Sequence, residues 1–295
     1  MKNRPTNAEY QKKRKKGRGF DVLVALLLVF GILAALVLNI LYNRTNYTAE
    51  FYQMSSKRLT HGICMVFLTD LHLREYGQDN KDLTDDIERL SPDIIILGGD
   101  MVNCNSKDGY DSMISLCRRL SETAPVYGVL GNHEDVEIFI KNDEELVSRF
   151  EKAGVTFLRN TEEKVMLYGN TVSLVGIEGK PEDFENYGAK ECMDSLQKED
   201  YDFRVCIAHV PTYFPSVLEN YAFDLGLSGH VHGGIVQLPK LGPIYSAEEG
   251  FLPEYASGEY ELSNGAPLIV SRGLGDSGWA PRINNIPELS VIDIS

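Results

Sequence analysis

Short apolar runs alternate with amphipathic ones through the first half of the chain's central region. ICMVFLT, KDLTDDIERL, DIIILGG, DSMISLCRRL, VYGVLGN and EELVSRFEKAG follow one another between residues 63 and 154. Periods of two and 3.6 residues in turn predict β-α-β-α-β-α. The Ile, Val and Leu runs do not alternate with polar residues, which indicates strands covered on both faces, in a mostly parallel or mixed sheet under helices. A second half repeats the strand signal in VTFLR, EKVMLYG, TVSLVGI, FRVCIAH, FDLGLSG, PLIVSRG and LSVIDIS, with a helix expected across residues 182 to 199. The expected fold is α/β, with two facing mixed β-sheets flanked by helices in a four-layer α/β/β/α sandwich, preceded by one transmembrane helix.

That first helix is read from the run VLVALLLVFGILAALVLNIL, Val22 to Leu41, in which Asn39 alone is strongly polar. About 20 helical residues cross the ~30 Å hydrocarbon layer. Lys12, Lys13, Arg14, Lys15, Lys16 and Arg18 precede it and Arg44 alone follows it closely, so the positive-inside rule keeps the amino-terminal tail cytoplasmic and places the rest outside. A cleaved signal peptide competes with this reading, but signal peptides usually have apolar regions of ~7–15 residues and a small-x-small site, and none convinces after Leu41. A core helix of a soluble protein is a third alternative. The expected organisation is a basic cytoplasmic tail at 1–20, a transmembrane signal anchor at 21–42, a polar linker at 43–61 and one catalytic domain at 62–295. The expected localisation is the cell membrane, single-pass, with the catalytic domain extracytoplasmic.

Charge narrows the partners. Residues 1–20 hold eight Lys or Arg and one Glu, so the body of the chain is more acidic than the formal net charge of −14. Such a body repels phosphate backbones, and no nucleic-acid polymer is expected as a partner. The five cysteines, Cys64, Cys104, Cys117, Cys192 and Cys206, are odd in number and lack C-x-x-C spacing, which removes a zinc-finger reading. Cys64 and Cys206 fall in apolar strand runs and are expected to pack as small hydrophobes.

Chemistry gathers at the strand ends. Five of the six histidines, His72, His133, His209, His230 and His232, stand just beyond strand-like runs, beside Asp, Asn or Gly. In open α/β sheets, loops at the carboxyl ends of strands form the ligand crevice. Asp70 and His72 are two apart in TDLHL, where an extended backbone points both to one side. Asp100 follows two glycines in ILGGDMVN, and its alternative is a helix cap or turn. Asn132 and His133 lie in GVLGNHE, whose Glu134 and Asp135 are expected to begin the next helix. His230 and His232 stand in LGLSGHVHGG, again as an extended pair suited to metal ligation. His61 lacks such neighbours and is expected at the surface.

Two carboxylates, one amide and four imidazoles make a mixed N/O set that suits Mn, Fe, Zn or Ni better than Ca. Seven groups suit two ions. Such pairs bridge a hydroxide and stabilise in-line phosphoryl displacement.

These motifs, Asp-x-His, Gly-Asp-x-x-Asn, Gly-Asn-His, His and Gly-His-x-His in this order, resemble the calcineurin-like metallophosphoesterase family over residues 63 to 293. The resemblance implies that Asp70, His72 and His232 hold one metal, that Asn132, His209 and His230 hold the other, and that Asp100 bridges them. His133 would contact the phosphate, and no Ser or Cys nucleophile is needed. The family's second motif usually ends in Asp where this chain has Asn103. YASGEY and the segment PLIVSRG to VIDI resemble the bacterial membrane-associated branch, whose members attack phosphoesters or lipid-linked pyrophosphates. That branch often has Gly-Gly-Gln where Gly233, Gly234 and Ile235 stand here, so the role of its Gln does not transfer. Arg272 and Arg282 can clamp a phosphate or form surface pairs.

The expected function is therefore a binuclear metal-dependent phosphoesterase, with two divalent transition-metal ions, Mn first, acting on a phosphodiester, phosphomonoester or lipid-linked pyrophosphate at the outer membrane face. Catalytic roles fall to His133 and Asp100. The alternatives are a non-catalytic anchored binder of a phosphorylated lipid or wall polymer, and an enzyme of reversed orientation.

Overall fold

The computed structural model describes residues 7–104, 109–143, 145–186, 188–196, 200–238, 241–246, 250–276 and 281–295. The side chains of residues 9–19 fall outside that description, and with them the basic residues Lys12 to Arg18.

Fifteen strands and seven α-helices alternate along the described chain. Helix α1 is Asn7–Thr45 and β1 is Thr48–Met54. The expected β-α-β-α-β-α series follows: β2 Ile63–Leu68, α2 Lys81–Leu90, β3 Ile94–Leu97, α3 Tyr110–Thr123, β4 Val126–Gly128, then α4 Asn132–Asp135 and α5 Glu145–Lys152. Next come β5 Val155–Phe157, β6 Thr161–Leu167, β7 Asn170–Ile177, α6 Ala189–Leu196, β8 Phe203–Ala208, α7 Tyr213–Ser216 and β9 Leu225–Ser228. The chain closes with β10 Val236–Leu238, β11 Gly242–Ser246, β12 Gly250–Phe251, β13 Gly258–Glu261, β14 Pro267–Val270 and β15 Glu288–Ile294.

Two six-stranded sheets carry the core, in the orders β1-β15-β2-β3-β4-β5 and β13-β14-β9-β8-β7-β6. Strand β2 shows why its run is wholly apolar. Ile63, Met65 and Phe67 enter a cluster with Val172, Leu174, Val205, Ile207 and Leu227 of the other sheet. Val66 and Leu68 point the opposite way, into a cluster with Leu83 and Ile87 of α2 and Leu116 and Leu120 of α3. A period of two still operates, but each face meets an apolar layer, so hydrophobicity does not alternate. The outer face of the second sheet is covered by Met193 of α6 and Tyr213 and Phe214 of α7. Helix, sheet, sheet and helix thus form the four expected layers.

Three expectations change. Residues 43–61, expected as a linker, contain β1, which pairs in parallel with β15 from Thr48↔Glu288 to Met54↔Ile294. Its burial alternates only between half-buried and exposed, as befits an edge strand, so no apolar run announced it. The helix expected at 182–199 is shorter: a 3-10 turn at Pro181–Asp183 precedes α6, and Gly188, at φ 86°, separates them; residues 197–199 lie outside the described set. Strands β10 to β12 form a separate three-stranded sheet that the sequence pattern did not reveal.

Helix α1 contains an apolar stretch, Phe20–Thr45, long and apolar enough to cross a membrane. Most of its side chains are exposed, Phe30 at 71%, whereas Asn43 near its end is buried. All five cysteines are free, with Cys206 buried and Cys64 half-buried within strands. His61 is exposed.

Candidate metal centre

Every candidate ligand lies at the carboxyl end of a strand. Asp70 and His72 follow β2, Asp100 follows β3, and Asn132 opens α4 after β4; His209 follows β8, while His230 and His232 follow β9. Strands β2, β3 and β4 run parallel in one sheet and β8 and β9 in the other. The five loops therefore meet at one end of the sandwich, as the general rule for α/β crevices requires.

The backbone that aims them is not extended. Asp70, His72, Asp100, His230 and His232 all adopt positive φ, between 47° and 70°, a conformation that costs non-glycine residues energy and persists where surrounding contacts over-determine it. The pairs Asp70/His72 and His230/His232 do converge, but through left-handed turns rather than the expected strand geometry. Backbone bonds hold these turns: Asp70 N–H donates to Gly99 O at 2.9 Å and His72 N–H to Asp100 O at 3.0 Å. Gly99, at φ 94°, leaves room for this crossing; a Cβ there would stand 2.6 Å from Gly131 N and 2.9 Å from His209 Nδ1.

Donor atoms gather in three overlapping groups, each within 4.8 Å: Asp70, His72 and His232; Asp100, His209 and His230; and His72, Asp100 and His133. His72 Nε2 and His232 Nε2 are 3.0 Å apart. His209 Nε2 lies 3.2 Å from Asn132 Oδ1 and 3.2 Å from His230 Nδ1. Asp100 Oδ2 is 3.3 Å from His209 Nε2 and 3.8 Å from His72 Nε2, while Asp70 Oδ1 is 3.5 Å from His232 Nε2. His209 Nδ1 donates to Gly98 O at 2.8 Å, which leaves Nε2 facing the cluster.

Electrostatics says what belongs between them. Asp70 and Asp100 are buried, at 0% and 2% exposure, and among the described residues neither makes an ion pair with Lys or Arg. The cationisable groups within 4 Å of them among the described residues are imidazoles. Burial pushes His72 down to about 4 and, with His209 nearby, His230 down to about 3; burial, then His72, holds His232 well below its usual value. Those three rings stay neutral, the form that offers a lone pair. Burial opposes a proton on His209 as well, but Asp100, its hydrogen bond and Asp70 overcome it and raise the ring to about 10. A proton at His209 thus answers a demand for positive charge from two buried carboxylates, which a divalent cation meets more fully. The donor set and its charge deficit fit a metal site.

Three residues that surround the candidate ligands have roles that the sequence left open. Glu134 does begin α4, but its carboxylate is buried and accepts three backbone N–H groups, from Asp100 at 2.8 Å, Gly131 at 2.9 Å and Val102 at 3.0 Å. It ties the Asp100 loop to the Asn132–His133 loop, and burial, with Asp100 adding, raises its pKa to about 7. Arg282 is buried rather than at the surface, and its ion pair is with Asp276 at 3.7 Å. It is 2% exposed and donates to His232 O at 3.1 Å and Gly275 O at 2.9 Å, with Nη2 3.2 Å from His232 Nδ1. Arg272 is occupied by Glu50 at 2.6 Å and Glu288 at 2.9 Å. A Glu directly after Asn-His, and an Arg in a loop rich in carbonyls, were the only signals available.

Comparison with known proteins decides the family. The family model for calcineurin-like phosphoesterases matches residues 65–234, more than half of the chain. The chain belongs to the calcineurin-like phosphoesterase family. As a member it is a metallophosphoesterase, a hydrolase of phosphoester bonds. Phosphodiesterase YaeI of Escherichia coli is 26% identical over 234 residues, which cover 78% of this chain and 81% of that protein. The uncharacterized metallophosphoesterase YkuE of Bacillus subtilis is 27% identical over 242 residues, 79% of each chain. Among solved structures, TT1561 of Thermus thermophilus aligns with a TM-score of 0.44 at 13% identity, covering 72% of this chain and 91% of that one.

Proposed function

We propose that this calcineurin-like phosphoesterase is a binuclear enzyme of the membrane-associated branch, hydrolysing a phosphodiester, phosphomonoester or lipid-linked pyrophosphate at the outer face of the cytoplasmic membrane. One observation carries the reading: two buried carboxylates ringed by imidazoles, three of them neutral and the fourth, His209, protonated by the carboxylates' own charge, with no Lys or Arg partner among the described residues. Asp70, His72 and His232 hold one divalent cation, Asn132, His209 and His230 the other, and Asp100 stands between; manganese suits this mixed N/O set.

The cation pair supplies Lewis-acid activation of water and neutralises charge on the phosphoryl group. The chain supplies the rest. Glu134 holds the Asp100 and Asn132 loops in register. His133 N–H donates to Asp100 Oδ1 at 2.8 Å, and Cys104 N–H donates to His133 Nδ1 at 3.1 Å. With Nδ1 accepting, the ring's proton sits on Nε2, where it is available for the leaving oxygen. The apolar stretch Phe20–Thr45 anchors the chain, with residues 1–20 cytoplasmic by their charge, and residues 62–295 form the catalytic domain.

The test is hydrolysis of bis(p-nitrophenyl) phosphate by the full chain in detergent with manganese. Asp100→Ala and His230→Ala are expected to abolish turnover; unchanged activity in either rejects the site. Metal and phosphoester binding without turnover across a substrate panel would instead mark a non-catalytic binder.

A further inference from the structure

The three-stranded sheet β10–β12 belongs to neither large sheet, yet it leaves the metal centre directly: His232 is four residues before Val236. Five large apolar side chains on the sheet or at its strand ends are exposed, with Leu238 at 43%, Leu241 at 73%, Tyr245 at 37%, Phe251 at 79% and Leu252 at 71%. Tyr245 and Phe251 are cross-strand partners, their rings 5.2 Å apart edge to face. Large exposed apolar side chains scattered singly over a surface are ordinary, but five between residues 238 and 252 of one small sheet, two of them in ring contact, mark a contact surface.

What covers it follows from where it is attached. Gln237 N–H donates to Ile283 O at 3.1 Å and Ile283 N–H to Ile235 O at 2.9 Å, so the sheet is stitched to the loop after Arg282. That same loop receives the end of α1. Asn43, fully buried, donates to Arg282 O at 3.2 Å, and Arg74 Nη1 donates to Asn43 O at 3.4 Å. The exit of the apolar stretch and the root of the sheet are therefore neighbouring residues, 282 and 283, of one loop. Leu241 lies four residues past Gln237, no farther than roughly 14 Å along a strand. An apolar surface this close to the point where a helix leaves a bilayer is continuous with that bilayer's interface, and aromatic and aliphatic side chains suit it.

We infer that the β10–β12 sheet, rooted next to the loop that holds Asn43, lies in the lipid interface, bringing the His232 end of the metal centre to phosphoesters carried on membrane lipids. The inference rests on α1 crossing the membrane. The sheet is the second point of attachment and the reason a lipid, rather than a soluble ester, is the substrate class.

The experiment uses the full chain in vesicles containing lipids brominated on their acyl chains, which quench tryptophan fluorescence on contact. Single tryptophans are placed by Leu241→Trp and Phe251→Trp in the sheet, Phe30→Trp in α1 and Tyr168→Trp at an exposed turn between β6 and β7, each read against the parent background. The expected result is loss of emission at positions 30, 241 and 251 with none at 168. Loss at 30 alone overturns the inference while leaving the anchor intact. Retained emission at 30 as well removes both. Quenching at 168 equal to that at 241 shows unspecific adhesion and overturns the inference, as does concentration-dependent dimer formation with 241 and 251 unquenched, which assigns the surface to a second copy. A Leu241→Ser/Phe251→Ser/Leu252→Ser variant is expected to keep its turnover of bis(p-nitrophenyl) phosphate while losing hydrolysis of vesicle-embedded phospholipid; equal turnover of both substrates rejects the lipid class.

Discussion

At the scale of single residues, the cluster is held as much by its neighbours as by its ligands. Glu134→Gln leaves one oxygen to accept what a carboxylate takes from three N–H groups. An unpaired buried donor costs about 1–3 kcal/mol, and relief of a buried charge returns part of it. We expect a net loss of about 1–2 kcal/mol in urea denaturation and weaker manganese binding in calorimetry. Asp135 behaves differently. Burial, then the Glu178 carboxylate, raises its pKa to about 6. A raised carboxyl pKa means that ionisation disfavours the fold, so the penalty is small at and below the unfolded pKa of about 4, grows as pH rises from there to about 6, and is constant above. Asp135→Asn is therefore expected to match the parent at pH 4 and exceed it by about 1–3 kcal/mol at pH 7.5 in metal-free protein; an equal difference at both pH values would refute the assignment. The clustered residues were legible as candidates because Asp, Asn and His beside glycine at strand ends have few structural uses. The positive φ of Asp70, His72, Asp100, His230 and His232 was not, since it arises from bonds to loops far away in sequence.

Among elements, legibility followed burial. Strands β2, β3 and β14 announce themselves by unbroken apolar runs because both faces are covered, and β7, β8 and β15 by mostly apolar ones. Strand β1 does not, since an edge strand needs apolar residues only in part, and its sequence TAEFYQM mixes both kinds. The interval expected as linker is thus partly structural. Tyr52 OH donates to Glu288 at 2.9 Å and Arg272 pairs with Glu50 at 2.6 Å. A chain begun at residue 62 would strip β15 of its parallel neighbour and leave Glu288 and Arg272 without these partners, exposing an open sheet edge. Compared with a chain begun at residue 43, it is expected to melt several degrees lower and to aggregate on heating, as scanning calorimetry and light scattering would report. Equal melting would make β1 dispensable.

For the whole molecule, the four layers were foreseeable from the alternation of strand and helix signals, whereas the attachment of β10–β12 to the loop at Arg282 was not, because it depends on contacts between residues nearly fifty positions apart. Metal should bind the folded state only, since its donors come from five loops. Chelation with EDTA is expected to lower the melting temperature; a cation at about 100 times its dissociation constant contributes about 2.7 kcal/mol, or roughly 5–10 °C for a domain of this size. A melting curve indifferent to EDTA would exclude a resident metal.

Strand β15 sits between β1 and β2, so residues 63–68 gain their antiparallel neighbour only from residues 290–294. Synthesis must run more than two hundred residues past β2 before that gap can close. Until then the nascent sheet presents bare backbone on its interior side, where a wrong strand can pair. Maturation should consequently be slow and sensitive to holdase chaperones, and a stop codon anywhere before residue 288 should yield degraded protein rather than a weakened enzyme.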